Sequence, residues 1–145
     1  MIAALKTIVS FCFRYRWTAA ILLLLLLDLT TWLAFRKVGL APGFNHGDKL
    51  VHALAFFVLF GVAQISLRLD FFPRASARFA LGLIVSNAVI WLAYGFFIEA
   101  VQGQLAYRSA SLGDLLADGL GILAGVICAI FFERYSEESR THGQA

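Results

Sequence analysis

Four runs of about twenty mostly apolar residues, joined by short polar links, decide what this chain can fold into. The first, from about Trp17 to Phe35, contains the six consecutive leucines Leu22 to Leu27, and the others fall at about 50–67, 79–101 and 112–132. Each run is long enough to cross the hydrocarbon core of a bilayer as a helix. In lipid no water satisfies backbone groups, so a spanning segment must bond to itself as a helix or close into a barrel. The composition agrees: 61% of the 145 residues are hydrophobic and only 14% charged, too few charges to coat a soluble globule of this size. The reading is an all-α polytopic membrane protein, one domain over 1–145, folded as a bundle of four transmembrane helices. Met1 to Arg16 reads as a short interfacial segment, because apolar residues alternate with Lys6, Arg14 and Arg16. The first span is longer than a signal-peptide core and no small-x-small cleavage site follows it, so it is expected to be retained. The tail over 133–145 is charged and without apolar periodicity, and is expected to be exposed and loosely ordered.

Charge sets the expected orientation and narrows the partners. Counting Lys and Arg outside the spans puts Lys6, Arg14, Arg16, Arg68, Arg74, Arg78, Arg134 and Arg140 on one side and Arg36, Lys37, Lys49 and Arg108 on the other. Eight against four predicts both termini on the cytoplasmic side of the cell inner (plasma) membrane. The net charge of +3 suits anionic headgroups, and with no dense basic block carrying interleaved aromatics, nucleic acid is not an expected partner. The two cysteines, Cys12 and Cys128, form no CxxC and no Cys/His ligand spacing. They read as free thiols, and neither a metal nor any other cofactor is expected from these spacings.

Against this apolar background the polar residues are conspicuous. Glu99, Gln102, Arg108, Ser111, Asp114 and Asp118 gather where the third and fourth runs meet, and Asp48, Lys49 and His52 open the second run at the same, outer, face. A charge held in lipid must be paired or used. Helical spacing puts Asp48 one turn from His52, Glu99 beside Gln102, and Ser111, Asp114 and Asp118 on one stripe. Next to that stripe Gly113, Ala117, Gly121 and Gly125 recur every four residues, the small-residue spacing that lets helix backbones approach in lipid, so the fourth span is expected to be central. Gly47-Asp48-x-Leu50-x-His52-x-Leu54 also echoes Gly113-Asp114-x-Leu116-x-Asp118-x-Leu120. A plainer account of Asp48 and Asp114 is that each starts a helix and accepts its free N–H groups. Asp28, alone in the first span, is expected to be protonated or turned inward to a partner.

Asp48, Lys49 and His52, followed by Glu99, Gln102, Arg108, Ser111, Asp114 and Gly121, resemble the VanZ-like membrane proteins. The hallmark of that family is Asp-Lys-x-x-His at the start of one span and Glu-x-x-Gln, Arg, Ser-x-x-Asp and Asn-x-x-Gly across the last two. The resemblance covers roughly 48–125, and Asp118 stands where the pattern usually has Asn. It implies an outer-face site concerned with cell-envelope components and supplies no biochemical activity.

Three readings of the polar residues follow. In the first, they form an outward-facing pocket for an amphiphilic or lipid-linked envelope component. Asp48, Glu99, Asp114 and Asp118 outnumber Lys49 and Arg108, so a headgroup with an amine or mixed charge fits better than a bare phosphate, unless the carboxylates are protonated or a divalent cation intervenes. In the second, the protein is a membrane enzyme with His52 as acid or base beside carboxylates that orient it or hold a metal. In the third, the same residues make a closed network that only fixes the bundle.

Overall fold

A computed structural model of the protein describes residues 17–36, 47–73, 76–107 and 109–142, the last six of these by backbone alone. The expected interfacial segment and Arg108 lie outside the described residues. Among those described the structure is all helical. Helix α1 spans Thr18–Phe35, α2 Gly47–Ser66, α3 Ala77–Gln102 and α4 Leu112–His142. A π-helical turn, Leu67–Phe71, continues α2. All four helices are long and apolar enough to cross a membrane. The chain runs up and down through the bundle, so α2 and α4 are parallel to each other.

Helix α4 does not stop at Phe132 as expected but continues to His142. Nothing between Gly125 and His142 breaks a helix, since that stretch has no Pro and no Gly, and polar residues past the lipid can stay helical in water. Glu133, expected in a loose tail, forms a two-pronged ion pair with Arg68: Arg68 Nε lies 2.6 Å from Oε1, and Nη2 donates to Oε2 at 3.0 Å.

Helix α2 packs most extensively against the other three, and its largest interface is with α4. That interface is made by the small-residue stripe. Gly121 lies so close to α2 that an added Cβ would run into the Ala53 backbone carbonyl, and one at Gly125 would meet the Phe60 ring at 2.5 Å. Ala117, Gly121 and Gly125 are buried, while Leu112, Leu116 and Leu120 on the far side of α4 are exposed. The expected packing face of the fourth span is therefore present, although α2 occupies the centre. The core comprises Phe56, Leu59, Phe60 and Ala63 of α2 with Ile84, Trp91 and Ile98 of α3 and Ile122 of α4. Below it Asn87 Nδ2 donates to the Phe60 carbonyl and to Gln64 Oε1, each at 3.1 Å, tying α3 to α2 at a depth where no water competes.

Helix α1 is attached differently. Little of it is buried, and polar latches fix its two ends. Asp70, just past α2, accepts from the backbone N–H groups of Trp17 (3.2 Å) and Ala20 (3.3 Å) and from Ser66 Oγ (3.0 Å), so it caps α1 from another helix. Trp17 turns the chain into α1 with φ of 77°. At the opposite end Gln102 Nε2 donates to the Ala34 carbonyl at 2.9 Å and the Tyr107 hydroxyl to that of Phe35 at 2.9 Å. One turn before that end, Thr31 Oγ1 and the Tyr94 hydroxyl share a hydrogen bond of 2.7 Å.

Asp28 does not turn inward. It is exposed on the outer side of α1, and no polar partner for it stands among the described residues. The inner face is taken by Leu23, Leu26, Leu27 and Ala34. Asp28→Leu should therefore ease insertion of the first span, by about 3 kcal/mol on the scale for a carboxylate near the middle of a spanning helix. A glycosylation-based insertion assay measures this, and an unchanged or weaker insertion would show that Asp28 has a partner outside the described residues.

Candidate functional site

Helices α2 and α4 start at the same membrane end, and their first turns carry the polar residues. Lys49 and His52 are three apart and share a face, as do Asp114 and Asp118 at four apart. The parallel packing sets these pairs against each other as two rungs. At the outer rung Lys49 Nζ donates to Asp114 Oδ1 at 3.1 Å, and Asp48 Oδ2 lies 3.5 Å from the same ammonium. At the inner rung His52 Nδ1 lies 2.9 Å from Asp118 Oδ1. An ionised carboxylate can only accept, so Nδ1 carries a proton toward Asp118, and in the neutral ring Nε2 is left with its lone pair.

The third wall comes from α3. Glu99, in its last turn, accepts the Ser111 backbone N–H on Oε2 at 2.6 Å. Ser111 caps α4: its Oγ accepts the Asp114 N–H at 3.3 Å, a Ser-x-x-Asp start that leaves the Asp114 carboxylate free to turn toward Lys49. Helix initiation thus accounts for the Asp114 backbone and not for its side chain.

Burial grades the cluster from rim to floor. The side chains of Asp48 and Lys49 are 51% and 40% exposed, those of His52 and Asp114 20% and 14%, and that of Asp118 is wholly buried. Gly95 makes room at the floor, because a Cβ there would stand 2.9 Å from Asp118 Oδ2. At the rim the Lys49 stem lies over Gly113. Two buried carboxylate oxygens have no hydrogen-bond partner among the described residues, Asp118 Oδ2 and Glu99 Oε1. Such groups are normally satisfied, so each asks for a cause. Asp118 Oδ2 rests in the Gly95 notch.

No family model, curated protein or solved structure matches the chain. The chemistry must therefore be read from the site. Of the residues singled out in the sequence, Asp48, Lys49, His52, Glu99, Ser111, Asp114 and Asp118 are brought together. Gln102 is not: it faces α1 and satisfies a helix-end carbonyl. Gly95, Asp70 and the Asn87/Gln64 pair carried no distinguishing pattern in sequence, a single Gly or amide in a spanning run being ordinary. His52, Glu99 and Asp114 each offer one ligand-type atom, and these three atoms lie within 4.8 Å of one another.

Beside the cluster, on the opposite side of α2, an apolar groove of about 310 Å³ opens between α1 and α2. Leu26 and Thr30 line it from α1, and Val51, Leu54 and Val58 from α2. It begins at the same membrane end as the polar cluster.

Proposed function

We propose that this is a VanZ-like membrane protein whose polar cluster faces the outside of the cell inner membrane, with both termini cytoplasmic, and holds the headgroup of an amphiphilic or lipid-linked envelope component. The observation that carries this reading is the pairing of a graded polar recess with an apolar groove at one membrane end. An acyl chain in the groove places its headgroup over the first turns of α2, about one helix diameter, roughly 10 Å, from Asp114 and Glu99. The motif series supports the family assignment, and the bias of Lys and Arg supports the orientation. Acidic residues dominate the recess, so the preferred headgroup carries an amine, alone or together with a phosphate. The His52/Asp118 pair favours a second reading as an acid/base enzyme acting on the same headgroup.

Native mass spectrometry of the purified protein, held in chelator and titrated with phosphatidylethanolamine or phosphatidylglycerol, tests the binding reading. The amine-bearing lipid is expected to be retained at least tenfold better. Asp114→Asn should erase that preference, and Val58→Trp, which fills the groove, should weaken retention of both lipids. Equal retention of the two by the wild-type protein would refute the headgroup assignment.

A further inference from the structure

We infer that His52, Glu99 and Asp114 form a binding site for one divalent transition-metal ion of the zinc or manganese class, with Asp118 holding the histidine in its ligating orientation. The inference goes beyond the headgroup reading and does not depend on it.

Three observations converge. The ligand-type atoms of the three residues lie within 4.8 Å of one another, although they come from three different helices. A single ion about 2.0–2.2 Å from each ligand sits between atoms at such separations after only small side-chain adjustment. Next, each residue has one atom committed elsewhere and one to spare. Glu99 gives Oε2 to the Ser111 N–H while Oε1 is buried without a partner, in a residue only 5% exposed. Asp114 gives Oδ1 to Lys49, and His52 gives Nδ1 to Asp118. A histidine whose Nδ1–H is held by a carboxylate presents Nε2 with a fixed tautomer and direction, the arrangement that metal-binding histidines commonly show. Last, among the described residues the carboxylates outnumber the cations: Glu99, Asp114 and Asp118 stand against the ammonium of Lys49, with Asp48 half exposed at the rim. A divalent cation offsets that excess.

The donor set chooses the metal class. An imidazole nitrogen with two carboxylate oxygens suits zinc or manganese, whereas calcium and magnesium take shells built from oxygen. Three protein ligands also leave a coordination position for water or for a ligand oxygen. With the ion bound, the acidic recess becomes a place where a phosphate oxygen can be held, and the favoured headgroup changes from amine to phosphate.

The test uses the full chain purified in detergent, stripped with chelator and dialysed against Zn²⁺ or Mn²⁺, with bound metal counted by elemental analysis and affinity measured by calorimetry. One ion per chain is expected, with Mg²⁺ and Ca²⁺ failing to compete at a hundredfold excess. Glu99→Gln and His52→Gln should each lower affinity at least a hundredfold. Asp118→Asn should lower it about 10–100-fold while preserving stoichiometry, as loss of an orienting partner does. Asp28→Asn, on the outer side of α1 away from the cluster, should leave it unchanged. Substitution with Co²⁺ gives a readout that a structural role would not move: its visible absorption bands should shift in Asp118→Asn and vanish in His52→Gln. Failure of the wild-type protein to take up metal overturns the inference, and this needs no variant to fold. So does undiminished uptake by Glu99→Gln, or by Asp114→Asn should the first variant be unstable. Metal uptake without lipid preference would keep this inference and remove the headgroup reading; lipid preference without metal uptake would do the reverse.

Discussion

Gly121→Ala is expected to destabilise this protein more than any other single added methyl group, by about 3 kcal/mol or more. The new Cβ would run into the backbone of Ala53, and backbone on a packed helix cannot swing aside as a side chain can. The same substitution at Gly61 or Gly82 meets nothing within 4 Å. There, replacing glycine in a helix should be neutral or stabilise by about 0.5–1 kcal/mol. Gly125→Ala falls between, since it presses on the Phe60 ring, which is buried but can turn. Thermal unfolding in detergent, followed by tryptophan fluorescence, orders the series. If Gly121→Ala melted with Gly82→Ala, the close approach of α2 and α4 would be wrong, and with it the facing of Lys49 and His52 against Asp114 and Asp118.

The second large effect belongs to Asp70→Ala. One carboxylate accepts two backbone N–H groups at the start of α1 and the Ser66 hydroxyl, and its removal strips that helix end of its cap. Loss of a charged acceptor with backbone donors left behind costs about 3 kcal/mol. Because α1 buries so little else, the damage should be local. A cysteine placed at Ala19, which is fully buried, should become reactive to a thiol reagent in the Asp70→Ala background and stay protected in the parent. Asp70→Asn keeps an acceptor and should lose about half as much stability. Protection of that cysteine in Asp70→Ala would mean that apolar packing alone holds the start of α1.

The number and rough limits of the spans were legible because lipid imposes one length and one hydropathy on anything that crosses it. The π-helical turn to Phe71 and the extension of α4 to His142 were not, since apolarity marks the reach of the membrane and not the end of a helix. The site was legible where helical spacing alone fixes a face, as for Lys49 with His52 and Asp114 with Asp118. The short sequence echo has a structural counterpart: His52 and Asp118, equivalent in the two copies, are bonded partners 66 residues apart. Spacing misled at Gln102, which shares a face with Glu99 yet sits on the last residue of α3, where the free carbonyls ending α1 are the nearer acceptors. Asp28 could not be oriented from sequence, because α1 is apolar all round and nothing marks which face lies inward. The metal ligands left no spacing signal because each comes from a different helix.

The parallel register of α2 and α4 also bears on synthesis. A chain leaving the ribosome delivers α2 to the membrane with Lys49, His52 and Arg68 in place, but their partners Asp114, Asp118 and Glu133 belong to the final helix. Until that helix arrives, α2 must wait at the insertion machinery or in lipid with its polar first turns unmatched, and Gly121 and Gly125 are not yet there to meet Ala53 and Phe60. Helix α1 waits as well, for Asp70 at one end and for Gln102 and Tyr107 at the other. The bundle therefore cannot mature one hairpin at a time. It closes in a late step governed by the last helix, and a truncation before Asp118 should yield inserted spans that cellular quality control treats as unfinished.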